Sequence, residues 1–338
     1  MRILVTGATS GLGRNAVEHL LQAGFDVRAT GRSPAIGAEL EAAGASFVTL
    51  DLEQATAEEY AELVKGCDIV WHCAAKSSPW GSEREFFLAN VQATERLAEA
   101  AGAAGVKRFI HISTPSIYFD FKAHRDIEET FCAETFANHY AKTKYQAEQC
   151  IAQSVLRYPA TTYLILRPRG LFGPHDRVII PRVLAQLARD RGVLRLPGGG
   201  TAFLDLTFVL NVVHAMVLAS QNEGLVSGSV YNITDQQPAR LVDMLHKLLA
   251  EQLGLKYRVA SLPYPLLYTL AAGLEMIAKI TGKEPVLTRY SIGAVYFDMT
   301  LSQKRAREEL GYTPRYTQEQ GIEITGAWFK QQGVGKYG

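Results

Sequence analysis

Tyr140 and Lys144 stand four residues apart in HYAKTKYQAEQ, a spacing that on a helix turns both side chains to one face. A phenol, with an ordinary pKa near ~10, is a poor acid at neutral pH, and a neighbouring ammonium lowers it. The pair therefore reads as a tuned proton donor and acceptor. Tyr140 hands a proton to an oxygen that becomes an alkoxide as hydride arrives, or takes one back in the opposite direction. Thr114, just past the apolar run FIHIS, adds a hydroxyl that orients the same oxygen and steadies its charge. Lys144 is also placed to hold a nicotinamide ribose. A Tyr and a Lys at this spacing are common on helix surfaces, so the reading rests on what accompanies them.

The accompaniment is a glycine turn. TGATSGLGRN follows the first apolar run and opens the first helical pattern, the context of a dinucleotide site. Gly7 makes the tight turn, Gly11 lets the backbone approach a pyrophosphate, and Gly13 lets helix and strand pack closely. Thr9, Ser10 and Leu12 belong to the same turn, and the helix N-terminal amides face the phosphates. At the end of the second strand, where NAD-selective chains place Asp or Glu for the adenosine ribose, VRATGRS has Gly31 followed by Arg32 and Ser33. A guanidinium there pairs with a 2′-phosphate, so NADP(H) is favoured over NAD(H). Arg14 is a possible second phosphate partner, and Asp51, with Leu52 beside it, reaches for the adenine edge.

These residues need a rigid frame, and the chain supplies its pattern. Short apolar runs (ILVT near 3, VRAT near 27, FVTL near 47, DIVWHCAA near 68, FIHIS near 109, YLILR near 163) alternate with helical periodicity, notably Leu12 to Ala23 and Phe86 to Ala104. That alternation predicts an α/β fold with a doubly wound parallel sheet. Residues 1–170 form the NAD(P)-binding Rossmann domain, with a returning segment near 206–235 that includes YNITD; residues 171–338 are mainly a smaller, irregular substrate-binding region. LPYPLLYTLAAGLEMIAKI, residues 262–280, is the most apolar stretch, too short and broken to span a bilayer, and reads as a packed helix beside an apolar pocket or a surface anchor.

Bulk properties narrow the partners. At 338 residues, 47% apolar and 20% charged, the chain can bury a large core, and a net charge of +1 gives no basis for a nucleic-acid groove. A small apolar carbonyl or hydroxyl compound is the expected partner. Cys67, Cys73, Cys132 and Cys150 lack metal or disulfide spacing and read as reduced, packed thiols. No metal site is expected: His72 and His111 fall inside strand patterns and read as hydrogen-bonded core residues, as does Trp71, whereas Trp80 follows the fourth strand, where a loop reaches substrate. MRILVTG runs straight into a strand with no secretory pattern, which points to the cytoplasm.

The ordered set TGATSGLGRN, DIVWHCAA, FFLANVQATERLAEAA, KRFIHISTPSIY, YAKTK, ILRPRGLFGPHDR and LSQKRAREELGY resembles the extended short-chain dehydrogenase/reductase superfamily along nearly the whole chain. AAKSSPWG, STPSIYFD and PVLTRYSIGAVYFDMTLSQKRAREELGY are similar to its 3β-hydroxysteroid dehydrogenase-like group, which includes reductases of 2-alkyl-3-keto acids. The resemblance implies catalytic roles for Thr114, Tyr140 and Lys144. It implies a structural Asn90, a cofactor cleft lined by Ala74, Ala75 and Lys76, and passage of Arg167, Pro168 and Gly170 beside the nicotinamide. It also implies a homodimer through helices Phe86 to Ala104 and Tyr140 to Arg157. Two positions depart from the pattern: the middle glycine stands at Gly11 where Ser10 is expected to be glycine, and Leu210 replaces a frequent Asp. A nucleotide-sugar epimerase or dehydratase is the rival on the same scaffold, although dehydratases carry acidic residues where Pro115 and Ser116 follow Thr114. A noncatalytic cofactor-binding sensor or assembly subunit is the rival outside enzymology.

Overall fold

The computed structural model describes residues 1–333. Strands β1 (Arg2–Thr6), β2 (Asp26–Gly31), β3 (Ser46–Thr49), β4 (Ile69–His72) and β5 (Arg108–Ile112) alternate with helices α1 (Gly11–Gln22), α2 (Pro34–Ala42), α3 (Ala57–Val64), α4 (Glu83–Phe86) and α5 (Ala93–Ala103). A π-helical turn, Phe87–Gln92, joins α4 to α5. Then come the short strand β6 (His124–Ile127), the long helix α6 (His139–Arg157) and β7 (Thr162–Pro168). Val230–Ile233 returns to pair in parallel with β7, as expected of YNITD. The result is a seven-stranded parallel sheet in the order Val230–Ile233, β7, β5, β4, β1, β2, β3.

The strand order reverses beside β1, and at that switch point the carboxyl ends of β1 and β4 diverge and leave a crevice. Both faces of the central strands are covered, which is why IVWH and RFIHI are buried at every position and do not alternate. One face packs the apolar stripe of α1, including Ala16, Val17 and Leu20; the other packs Leu97, Ala98 and Ala101 of α5. Trp71 is fully buried, its indole donating to Ser220 Oγ at 2.9 Å.

Past β7 the chain is less bare of strands than the residue pattern suggests. Ala239–Arg240, Phe203–Leu204, Met299–Leu301 and β6 form a second, four-stranded sheet. Segments of two to four residues are too short to show a period, so they escape a pattern-based reading. Residues 262–280 largely form the helix Tyr264–Thr281, with Pro265 tolerated in its first turn. No helix among the described residues is long and apolar enough to cross a membrane. Cys132 is exposed, contrary to the expectation that every thiol is packed.

Candidate active site

The glycine turn is shaped by close approach. Gly7 has φ +67°, and a Cβ there would lie 2.8 Å from the amide nitrogen of Ala74, at the mouth of β4. A Cβ on Gly13 would collide with the carbonyl oxygen of Gly7, so α1 starts in contact with the turn only because Gly13 has no side chain. Gly11 has φ +51° with nothing within 4 Å of its missing Cβ; there glycine answers to backbone conformation and open space. Ser10, at the N-cap of α1, makes no side-chain bond to the helix. A loop folds over the turn: Gly11 N donates to His175 O at 3.2 Å, and Asn15 Nδ2 reaches both Gly11 O and Pro174 O.

Gly31 ends β2, and a Cβ on it would meet Thr9 Cγ2 at 2.6 Å, so the space an acidic side chain would need is filled. Arg32 projects with 71% of its side chain exposed, held only by Glu53 at 3.5 Å. Two expected partners go elsewhere. Ser33 caps α2, accepting from Ile36 N, and the Arg14 guanidinium is taken by Glu18 at 2.6 Å and Glu39 at 3.0 Å. Asp51 and Leu52 line the crevice opposite, with Leu52 O tied down by the Tyr60 hydroxyl at 2.6 Å.

From this turn a single cavity of about 850 Å³ runs past Ala74, Ala75 and Lys76 to the carboxyl end of β5 and into the second region. Asn90 sets one of its walls: its amide accepts from Lys76 N at 2.8 Å and donates to Lys76 O and to Thr143 Oγ1, both at 3.1 Å. The π turn thereby ties the β4 loop to α6 one residue before Lys144, which gives Asn90 a structural part.

Tyr140 enters the cavity from the first turn of α6, whose N-cap Asn138 accepts from Ala141 N at 2.8 Å. Its phenol hydrogen-bonds to Thr114; burial pushes its pKa up to about 12, and the Thr114 bond works the other way. Lys144, 1% exposed, donates to Ile112 O at 2.6 Å and lies 3.1 Å from His111 Nε2. Burial lowers its pKa to about 8. The trio thus converges on the cavity, but the simple expectation that the ammonium lowers the phenol is not what the structure shows. The ammonium is engaged by β5, and the phenol's pull downward comes from threonine. His72 is a core residue, bonded to Thr6 at 2.8 Å and Thr94 at 2.9 Å.

Arg167 requires a correction. It does not pass the cavity: it is 5% exposed and grips Glu148 of α6 with two nitrogens, Nε to Oε1 at 2.9 Å, and also bonds Tyr118 and Glu129 O. Paired with Glu148, Arg167 positions α6 and does not line the cavity. Pro168 and Gly170 do line the cavity. At Leu210 no carboxylate is missing from the neighbourhood, because Asp235 supplies one: its oxygens accept from Phe208 N at 2.9 and 3.0 Å and from Asn211 Nδ2 at 2.7 Å. Trp80 is half-buried and does not line the cavity, whereas Ser78 and Pro79 do.

Two lining residues, Ser116 and Tyr290, escaped the sequence reading, and Arg169 was placed there only as part of the run from Arg167 to Gly170. Ser116 accepts a hydrogen bond from Thr114 Oγ1 at 3.0 Å and sits 2.6 Å from the Tyr290 hydroxyl, and Arg169 lies just past β7. The second serine of STPS and the second arginine of RPRG were the available signals, but Tyr290 comes from 174 residues beyond Ser116 and nothing local foretells that meeting.

A parallel sheet whose glycine turn lies at the strand-order reversal defines a dinucleotide-binding protein, and the cradle fits one. The space at Gly7 and Gly13 would be closed by any Cβ, and the buried Ser113 hydroxyl, which has no partner, lines the same cavity. The sequence pattern of the NAD dependent epimerase/dehydratase family matches residues 3–234, and the chain belongs to that family, as an extended short-chain dehydrogenase/reductase. It is 48% identical to the protein YbjS of Escherichia coli (strain K12), over 98% of this chain and 99% of that one. It is 32% identical to a 2-alkyl-3-oxoalkanoate reductase of Shewanella oneidensis, over 94% of this chain and 84% of that protein. Among solved structures, MoeE5 in complex with UDP-glucose and NAD superposes with a TM-score of 0.77 at 25% identity, covering 98% of this chain and 99% of the other.

Proposed function

We propose that this chain is an NADP(H)-dependent oxidoreductase that interconverts a ketone and a secondary alcohol on an apolar substrate, a 3-oxo acid or a steroid-like compound. The observation that carries the reading is the hydrogen-bonded pair of Tyr140 and Thr114 hydroxyls in one cavity with the glycine turn. Gly7, Gly11 and Gly13 with Ser10 would hold the pyrophosphate, Asp51 and Leu52 the adenine side, and Lys144 the nicotinamide ribose. When bound, the nicotinamide supplies or accepts a hydride. The chain's own residues do the remainder: Thr114 orients the carbonyl oxygen, and Tyr140, neutral at physiological pH, gives its proton to that oxygen as negative charge develops there. In the reverse direction the same phenolic oxygen takes the proton from the alcohol. The names of the curated relatives support a dehydrogenase or reductase acting on CH–OH groups. The test is consumption of NADPH by the purified protein with 2-alkyl-3-oxo acids and 3-ketosteroids; inactivity toward both classes would overturn the reading.

The far wall argues against the nucleotide-sugar alternative. Leu204, Leu206, Met244, Leu245 and Leu248 face the cavity and give a sugar hydroxyl nothing to bond. The preference for NADP(H) rests on Arg32, exposed and loosely held beside a strand end without a carboxylate. Arg32→Asp is expected to weaken NADPH binding relative to NADH by roughly 10–100-fold, the worth of a charge-assisted bond, measured as the ratio of dissociation constants. An unchanged ratio would place the 2′-phosphate elsewhere. A cytoplasmic homodimer joined through the outer faces of α5 and α6 completes the proposal, and analytical ultracentrifugation tests the dimer.

A further inference from the structure

Two arginines flank Pro168, and their surroundings differ. Arg167 is compensated by a bidentate carboxylate and two further acceptors. The Arg169 guanidinium has two long contacts to backbone oxygens, Asp205 O and Ala294 O, both at 3.4 Å, and its buried Nε has no partner. Among the described residues it makes no ion pair. The carboxylate of Asp205 lies within electrostatic reach but accepts from Leu301 N at 2.7 Å, and burial pushes its pKa up to about 6. Burial also draws the Arg169 pKa below its ordinary value and outweighs the opposing pull of Tyr290 and Asp205. Leaving such a group unpaired is costly, and it is tolerated where a ligand completes it.

Arg169 lines the cavity at its substrate end, and Tyr290 lies within its electrostatic reach. The Tyr290 hydroxyl is 2.6 Å from Ser116 Oγ, which receives the Thr114 hydrogen bond at 3.0 Å, and Thr114 bonds Tyr140. A chain of hydroxyls therefore runs from the carbonyl-binding pair to Tyr290, and Tyr290 and Arg169 share the cavity wall. Phe119 stands edge-on to the Tyr290 ring at 5.6 Å and fixes it.

We propose that Arg169 and Tyr290 form an anion subsite for a substrate carboxylate, so that the preferred ketone is an oxo acid whose alkyl chains lie on the leucine wall. This rests on the ketone-reducing function proposed above and selects the acid over the neutral steroid. The fork of the guanidinium matches a carboxylate, and the phenol, held neutral by burial, adds a donor.

The test has a binding arm and a kinetic arm. In calorimetry on the cofactor-loaded protein, decanoate is expected to bind at least tenfold tighter than decanol, and Arg169→Met to reduce that ratio by roughly 10–100-fold, with Arg169→Lys intermediate. A wild-type protein without preference for decanoate overturns the subsite and needs no variant, as does a ratio unchanged in Arg169→Met. In steady-state assays the acid-over-methyl-ester ratio of kcat/KM for a 2-alkyl-3-oxo acid is expected to fall similarly in Arg169→Met. Should no ketone be reduced while the decanoate preference and its loss in Arg169→Met persist, the proposed reaction falls and the subsite stands.

Discussion

Tyr140→Phe is expected to bind cofactor as the parent does and to lose roughly 10²–10⁴-fold in kcat, the ordinary contribution of a positioned general acid. The substitution removes one oxygen and its proton. The ring stays where Phe86 packs against it, with centroids 6.4 Å apart, and the glycine turn is untouched. What disappears is the phenol hydroxyl that bonds Thr114. Tyr290 does not replace it, because its hydroxyl meets Ser116 Oγ at 2.6 Å and stands one hydroxyl removed from Thr114. Stopped-flow turnover together with cofactor fluorescence separates the two effects. A variant that keeps wild-type kcat would remove Tyr140 from the chemistry, and one that no longer binds cofactor would make its part structural.

Removing the Arg167 side chain with Arg167→Met is expected to destabilise the protein by about 3–5 kcal/mol, because it strands a buried charge. Both partners are nearly inaccessible, with side chains 6% and 5% exposed, and Glu148 sits one helical turn past Lys144. The same cluster reaches Asn232 through Tyr118 at 2.8 Å and through Glu129 at 2.8 Å, so the pair ties α6 to β7 and to the returning strand Val230–Ile233. Loosening α6 would also shift Tyr140 and Lys144, and activity should fall with stability. Replacing both partners, as Arg167→Met with Glu148→Leu, is expected to recover most of the loss, since no charge is then left unpaired. Urea unfolding midpoints decide the matter: a single variant within about 1 kcal/mol of the parent would show that the pair carries no structural load.

The order of β1 to β5 and β7, and the return of YNITD, were readable because strands buried on both faces are continuous apolar runs, and because the helices between them carry a clear stripe. The glycine turn was readable from its place after β1, and the Tyr140, Lys144 and Thr114 set from helical spacing plus a strand end. Arg167 was misplaced for a physical reason. A local motif tells where a backbone passes, not which way a guanidinium turns, and Glu148 lies 19 residues away on another element. Arg14 went astray because Glu18, one turn on in α1, and Glu39 of α2 both take its guanidinium. Tyr290 and the pairing of β6 in the second sheet depend on contacts over more than a hundred residues and leave no period behind them.

The central claim is that Tyr140 protonates a ketone oxygen while hydride reaches its carbon. It is tested most directly by supplying NADPH deuterated at the transferable position together with a 2-alkyl-3-oxo acid, and following products by mass spectrometry. The expected products carry one deuterium on the new carbinol carbon, with one equivalent of cofactor oxidised per alcohol formed, and neither is expected with Tyr140→Phe. Cofactor that stays unconsumed while the protein interconverts UDP-sugars, or deuterium transfer that proceeds unchanged in Tyr140→Phe, would contradict it.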